Sequence, residues 1–245
     1  MVNGLYTATR GMQNILAKQD AHAQNLANAT TTGFKLTRIV SQTQVAIGRN
    51  DKNQLHQDEN QTLAGRFTSF MQGPMVKTSN DLDFALSSSG FFAVEGDEGT
   101  RYTRNGGFSM NSSGELVTLT GKRVLDDAGA PILLKGEGSV KIMEDGGLFR
   151  DNKPVARIGV VEFADDKKLI PEAEGLYSNS DPEGNPTRTA DTIGIVQGFL
   201  EGSNVDPINT MVSMIAEFRN YEADQKAVQA IDSTLGKAVN EVGRV

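Results

Sequence analysis

The side chains best able to do chemistry in this sequence are two histidines and a few closely spaced carboxylates. His22 and His56 lie far apart in the chain, so they do not form the short-spaced pair typical of a zinc site. Cysteine is absent, which excludes disulfides, thiolate metal sites and thiol catalysis. The glycine-rich stretches 96–99 and 136–138 lack the following lysine and hydroxyl residue of a phosphate-binding loop. We therefore predict no metal site and no cofactor.

Paired aspartates are the remaining candidates for acid–base catalysis, which commonly uses two carboxylates. Asp81 and Asp83 flank one residue of a predicted strand, whereas Asp126-Asp127 and Asp165-Asp166 lie in predicted turns. The solubility of turns and edge strands explains these pairs without catalysis. We predict that no residue is catalytic and that the protein is not an enzyme.

Length and charge narrow the possible partners. A chain of 245 residues can form one large domain or two modest ones. The net charge is −7 and no run of lysine and arginine stands out, which argues against a nucleic-acid partner. No apolar run approaches the roughly 20 residues of a membrane span. The N-terminus does not resemble a cleaved secretion signal. We expect no direct membrane insertion and, if the protein is exported, a route without cleavage.

The N-terminal segment has the pattern of an amphipathic helix over residues 2–30. One face is formed by Leu5, Ala8, Met12, Ile15, Gln19, His22 and Leu26. Gly33 is a plausible helix-stop residue, and Phe34 can anchor the chain reversal. Asn25 and Asn28 are able to hydrogen-bond exposed backbone at the helix end.

The C-terminal segment is predicted to be a second long helix. Asp206-Pro207 is a start signal, since aspartate caps helices and proline suits the first helical position. Apolar residues recur every seven positions, at Met214, Tyr221, Val228, Leu235 and Val242. The pattern is widened by Phe218, Ile208, Ile215 and Ile231. Gln225 and Asp232 interrupt it, which favours packing among several helices over a simple two-stranded coil.

The middle of the chain reads as a polar region followed by strands. Residues 41–75 are predicted to form an extended arm or connecting region, and 76–198 a compact antiparallel β-rich domain. Asn105-Gly106 is a strong signal for a tight hairpin turn. We predict an α+β protein in which residues 1–40 and 199–245 form a helical domain, with the two helices paired as in a coiled coil.

Four ordered motifs resemble the flagellar axial family, the rod and hook subunits of the bacterial basal body. They are Asn25-Leu-Ala-Asn28 with Thr32-Gly-Phe-Lys35, Leu82-Asp-Phe-Ala-Leu86 with Gly90-Phe-Phe-Ala-Val94, Tyr102-Thr-Arg-Asn-Gly106 with Gly114-Glu-Leu-Val117, and Glu201-Gly-Ser-Asn-Val205 with Met214-Ile215 and Arg219-Asn-Tyr-Glu222. The resemblance covers nearly the whole chain. It departs from the family pattern at Gln24, where the family typically has asparagine.

The resemblance implies a structural subunit of the rod, which spans the periplasm. Length favours the rod over the hook, and the opening residues favour the proximal rod, with the distal rod as the alternative. The implied partners are further copies of this chain, other rod proteins, the surrounding ring proteins and the flagellar type III export apparatus. The terminal helices would line the inner tube, and the β-rich domain would face outward.

Assembly is expected to use the helix faces and the junctions beside them. The expected helix contacts are Leu5, Met12, Ile15, Leu26, Met214, Phe218, Tyr221, Val228, Ile231 and Leu235. The expected junction residues are Asn25, Asn28, Gly33, Phe34, Ser203 and Asn204. Because an isolated helix is marginally stable in water, we hypothesise that both termini stay largely disordered until neighbours bury them.

Two other functions fit the same pattern of strands between helices. A β-rich adhesin or binding module with helical oligomerisation ends would need a ligand-facing aromatic or charged cluster within 76–198. A periplasmic wall hydrolase would need a catalytic dyad or a metal site. Neither feature is evident in the sequence.

Overall fold

The protein combines two long helices with short antiparallel strands. The computed structural model describes residues 2–43, 62–136, 138–189 and 193–242. His56 and the rest of residues 44–61, about half of the predicted arm 41–75, lie outside the described residues. The elements confirm the predicted α+β class. The described residues fall into two compact units, a smaller one from 2–27, 37–43, 62–67 and 206–242 and a larger one from 28–36, 68–136, 138–189 and 193–205.

The smaller unit contains helices α1 (Val2–Ala27) and α2 (Pro207–Val242) and a two-stranded sheet of β1 (Thr37–Thr43) and β2 (Thr62–Thr68). The two helices touch in antiparallel order. His22 Nε2 near the end of α1 lies 3.6 Å from Glu217 Oε2 in the first third of α2. A Cβ placed on Gly4 would lie 3.8 Å from Ile231 Cδ1, in the last third of α2. Helix α1 ends three residues earlier than predicted, since the chain turns from Asn28 onward.

Helix α2 begins at Pro207 because Asp206 caps it. Asp206 Oδ1 accepts hydrogen bonds from the backbone N–H groups of Ile208, at 3.0 Å, and Asn209, at 3.1 Å. These N–H groups have no partner inside the helix, so a side-chain acceptor is needed at this position. Hydrogen bonds from the backbone N–H of Asn209, the side chain of Asn209 and the backbone N–H of Ile208 hold the pKa of Asp206 below its usual value.

This cap predicts that the first turn of α2 loosens in acid. A carboxylate whose pKa is lowered in the folded protein stabilises the fold fully at pH values above the ordinary aspartate pKa. This stabilisation is lost as the pH falls through the lowered pKa of the folded state. We expect the hydrogen-exchange protection factors of the Ile208 and Asn209 amides to fall between pH 5 and about pH 2. Asp206→Asn keeps an acceptor that cannot titrate, so it should remove this pH dependence. An equal loss of protection in that variant would contradict the assignment.

The larger unit contains the remaining strands. They are β3 (Met75–Lys77), β4 (Phe84–Leu86), β5 (Phe91–Gly96), β6 (Gly99–Thr103), β7 (Phe108–Met110), β8 (Leu116–Thr118), β9 (Val140–Ile142), β10 (Gly147–Arg150), β11 (Lys153–Arg157), β12 (Val160–Phe163), β13 (Leu169–Pro171), β14 (Leu176–Asn179), β15 (Thr187–Thr189), β16 (Ile195–Gln197) and β17 (Phe199–Glu201).

The main sheet has the order β13-β14-β6-β5-β12-β15, and a second sheet has the order β11-β10-β9. Three two-stranded pairs complete the unit, β7 with β8, β4 with β16 and β3 with β17. The described strand pairs are antiparallel. The last two pairings bring the end of the β-rich region back to its beginning.

The core of the larger unit has two apolar clusters. The main cluster includes Phe84, Phe92, Leu148 and Ile158, whose side chains are fully buried. The second is largely aromatic and is built on Phe91, whose ring meets Tyr177, Phe163 and Phe70 edge-on or nearly so. Phe91 and Phe92 are consecutive in β5 and belong to different clusters, so the main sheet is buried on both faces at this strand.

Two sequence-based expectations differ from this arrangement. Asn105-Gly106 does not form a hairpin turn, because it joins β6 to β7 and these strands pair with other strands. A Cβ on Gly106 would lie 1.7 Å from the carbonyl oxygen of Phe84, so glycine is needed there for close backbone approach. Residues 28–36 and 199–205, predicted as parts of the helical domain, belong to the larger unit.

Candidate functional site

A buried cluster of three charged side chains joins distant parts of the larger unit. Lys35 Nζ donates a hydrogen bond to Glu201 Oε1 at 2.5 Å, and both side chains are 0% exposed. Lys35 Nζ also donates to the carbonyl of Met71 at 2.8 Å. Arg104 Nη1 lies 3.5 Å from Glu201 Oε2. Two cations therefore share one carboxylate away from water.

The cluster is held by groups around it as well as by its own charges. Glu201 Oε1 accepts a second hydrogen bond, from the backbone N–H of Gly73 at 2.8 Å. Arg104 Nη1 donates to the Ser88 carbonyl at 3.0 Å, and its guanidinium lies 5.2 Å from the centre of the Phe91 ring. Burial lowers the pKa of Lys35, and the hydrogen bond and charge of Glu201 oppose this shift. The cost of burying Lys35 is thus offset largely by one residue.

Backbone contacts at the same place connect residues 33–36 with residues 201–204. The N–H of Gly33 donates to the Glu201 carbonyl at 2.7 Å. Asn204 Oδ1 accepts from the N–H of Leu36 at 2.7 Å, while its Nδ2 donates to the carbonyls of Ser69 and Met71, each at 2.8 Å. One asparagine side chain therefore ties together three segments of the chain.

Gly33 has two reasons to be glycine. Its φ of 71° lies in the left-handed region that favours glycine. A Cβ at this position would lie 2.5 Å from the backbone nitrogen of Asn105 and 2.7 Å from the carbonyl carbon of Arg104. The neighbouring Thr32 hydroxyl donates to Asn105 Oδ1 at 3.0 Å, which fixes the same close approach. The turn at 32–35 thus packs its backbone directly on the 104–105 segment.

The other predicted junction residues lie beside this cluster in sequence and make local contacts. In the smaller unit, the buried Asn25 side chain makes two hydrogen bonds with the backbone of Thr37, accepting from its N–H at 2.9 Å and donating to its carbonyl at 2.7 Å. In the larger unit, the Asn28 carbonyl accepts from the N–H of Thr31, and Ser203 Oγ accepts from that of Val205. Phe34 is half-buried.

The predicted helix contacts divide between two faces of α2. Half-buried side chains form one face, at Met214, Tyr221, Val228, Ile231 and Leu235. A second apolar face is exposed over the first three turns, with fractional exposures of 74% at Ile208, 48% at Met211, 60% at Val212, 57% at Ile215 and 55% at Phe218. The sequence pattern did not distinguish the half-buried face from the exposed face, because spacings of three, four and seven residues occur on both.

On α1, the side chains of Met12, Ile15 and Leu26 are half-buried, in line with a face turned toward α2. Leu5 lies in α1, but its side chain is outside the described residues. Among the described residues, neither helix is long and apolar enough to cross a membrane.

Among the paired aspartates, the side chains of Asp126 and Asp165 accept hydrogen bonds from backbone N–H groups in turns. Asp126 Oδ1 accepts from the N–H groups of Ala128 and Ala130, and Asp165 Oδ1 accepts from that of Lys167. Asp83 Oδ1 accepts from the Asn80 side chain at 3.0 Å. Within the described ranges, no group of three His, Asp or Glu side chains could hold a metal ion.

Lys35, Arg104 and Glu201 were not among the residues predicted to be functional. A signal was present, since each is a charged residue within one of the family-like motifs: Thr32-Gly-Phe-Lys35, Tyr102-Thr-Arg-Asn-Gly106 and Glu201-Gly-Ser-Asn-Val205. Opposite charges in separate motifs that are otherwise mostly uncharged are candidates for a buried pair. The pairing itself could not be read from spacing, because 166 positions separate Lys35 from Glu201.

Three family models match separate segments of this chain, and each matched segment contains one residue of the charged cluster. The flagella basal body rod protein model matches residues 5–35, the flagellar hook protein FlgE/F/G D1 domain model matches 85–149, and the flagellar basal body rod FlgEFG protein C-terminal model matches 196–241. Over all of both chains, the sequence is 34% identical to the flagellar basal-body rod protein FlgF of Caulobacter vibrioides. The chain belongs to the flagellar basal-body rod protein family.

Further relatives carry the names of two different rod proteins, FlgF and FlgG. FlgF of Mesorhizobium japonicum is 32% identical over 99% of each chain. The rod protein FlgG of Bacillus subtilis is 30% identical over 98% of this chain and 99% of its own. The family assignment confirms the resemblance stated from the four motifs. Lys35 is the last residue of the first matched segment. Its hydrogen bond to Glu201 therefore joins the segments that match family models at the two ends of the chain.

Proposed function

We propose that this chain is a structural subunit of the flagellar basal-body rod, without a catalytic role, that polymerises through its terminal helices. The observation that carries this proposal is the exposed apolar face of α2 over residues 208–218. A helix with apolar residues on two faces needs a second partner, since α1 contacts only one of them. A neighbouring subunit would supply that partner in an assembled tube.

In this proposal the smaller unit, which contains both helices, forms the inner wall of the tube. The helices would pair in a coiled-coil-like arrangement through Met12, Ile15 and Leu26 on α1 and the half-buried face of α2. The junction residues would fix the chain turns that follow α1 and precede α2. The expected neighbours are copies of this chain, other rod proteins and surrounding ring proteins, after delivery through the type III export apparatus.

We favour the proximal rod, in line with the FlgF relatives, over the distal rod. Mass spectrometry of purified basal bodies, calibrated against another rod component, tests this assignment. A few copies per particle would support the proximal rod, and many copies would move the assignment to the distal rod. Absence of the chain from basal bodies would contradict a rod function and would favour the adhesin alternative.

Ile215→Lys is expected to block incorporation into the rod while leaving the free subunit folded. Ile215 is exposed, so the free energy of unfolding should change by less than about 0.5 kcal/mol. At an interface the same lysine would be buried without a partner, so incorporation should fall at least about tenfold. Incorporation is measured by quantifying the chain in basal bodies from cells that express only the variant.

Ser233→Lys is the matched control. Ser233 is exposed and lies five helical turns further along the same side of α2, at the same angle as Ile215, where the exposed residues are small or polar. It should assemble normally. Equal incorporation of both variants would show that the apolar face over 208–218 is not an assembly contact.

A further inference from the structure

The end of the β-rich region completes the core of the larger unit. We define residues 193–205 as the closing segment. Ile193 and Ile195 belong to the main core cluster, with exposures of 6% and 2%. Val205 is also buried. Until these residues are in place, the main cluster lacks part of its apolar contacts.

The closing segment also supplies partners for strands near the start of the unit. Strand β16 pairs with β4 through Ile195 opposite Leu86, and β17 pairs with β3 through Leu200 opposite Val76. The N–H of Gly198 donates to the Asp83 carbonyl, and the N–H of Gly202 donates to the Pro74 carbonyl, both at 2.8 Å. Without the segment, β4 would be a buried strand that lacks this edge partner, which is unfavourable for its backbone groups.

The charged cluster is a further reason why the larger unit needs the closing segment. Lys35 and Arg104 both approach the single carboxylate of Glu201, which stands in β17. Placing these two cations in the interior without Glu201 would leave Lys35 with the Met71 carbonyl as its remaining hydrogen-bond acceptor. Burial of an unpaired charge is among the most costly local defects in a protein.

We propose that the closing segment is a folding checkpoint, so that the larger unit reaches its stable fold only when Glu201 and its neighbours dock against residues 33–36. A chain delivered from its N-terminus would then stay without stable β structure until the region around residue 205 is available. This consequence for delivery rests on the proposed rod function. The order of folding itself is a property of the free chain.

Pulsed hydrogen exchange during refolding of the full-length chain tests the order. We expect the amides of β5 and β6 to become protected in the same kinetic phase as those of Gly198 and Gly202. Protection of β5 and β6 in an earlier phase would overturn the proposal. Because this measurement needs no basal bodies, a chain that refolds in this order can still fail to enter the rod, and the two proposals are tested separately.

Glu201→Gln gives an independent test by stopped-flow kinetics, using the fluorescence of the buried Tyr102 and Tyr177. If the segment docks before the main barrier is crossed, the loss of stability should appear in the folding rate. We expect folding to slow by about 30-fold or more and unfolding to change by less than about threefold. Accelerated unfolding with an unchanged folding rate would overturn the proposal. If the variant does not fold, the exchange experiment on the unmodified chain decides.

Discussion

Lys35→Met is expected to lower the free energy of unfolding by about 3–5 kcal/mol, a large part of the stability of a typical domain. The substitution keeps the length and most of the apolar volume of the side chain but removes the cation from Glu201. The buried carboxylate would retain the N–H of Gly73 and the more distant Arg104, at 3.5 Å, so we expect a loss near 3 kcal/mol. Urea unfolding followed by circular dichroism measures it.

Lys168→Met provides a matched control for the loss of an ion pair. Lys168 Nζ donates to Asp181 Oδ2 at 2.8 Å, but the two side chains are 37% and 46% exposed. Water screens this pair, so its removal should cost much less stability than removal of the buried Lys35 charge. Similar losses for the two variants would show that burial of the Lys35–Glu201 pair has no special weight.

Gly33→Ala is expected to lower the free energy of unfolding by about 3 kcal/mol. A left-handed φ costs a residue with a Cβ about 1–2 kcal/mol. The new methyl group would also meet the backbone of residues 104 and 105 at under 3 Å, which adds about 1–3 kcal/mol. The displacement would separate Gly33 from the Glu201 carbonyl, so the junction should be disturbed along with the turn.

Gly175→Ala separates the cost of a left-handed φ from the cost of the close contact made at Gly33. Gly175 has the same φ of 71°, yet a Cβ there would meet nothing within 4 Å. It should therefore show only the conformational cost, about 1–2 kcal/mol. If both variants lose the same stability, close packing at Gly33 contributes nothing, and the 32–35 turn is not held as tightly as the distances indicate.

The local features of this protein follow from its sequence alone. The repeated three- and four-residue steps between Met12 and Leu26 predict α1, and Asp206-Pro207 marks the start of α2, because periodicity and capping depend on residues a few positions apart. Gly33 was predicted as a helix-stop residue, and it takes a left-handed φ in the turn that follows the end of α1 at Ala27. The four motifs were sufficient to recognise the family.

The long-range arrangement was decided only by the tertiary structure. The pairing of Lys35 with Glu201, and the return of β16 and β17 to β4 and β3, join residues more than 100 positions apart. The sequence carries no spacing rule for such contacts, because they depend on which backbone segments the rest of the fold brings together. Likewise, a seven-residue repeat shows that α2 has apolar residues but not which of them α1 covers. Burial and charge pairing are properties of the assembled core, whereas helix starts and turns are properties of the local chain.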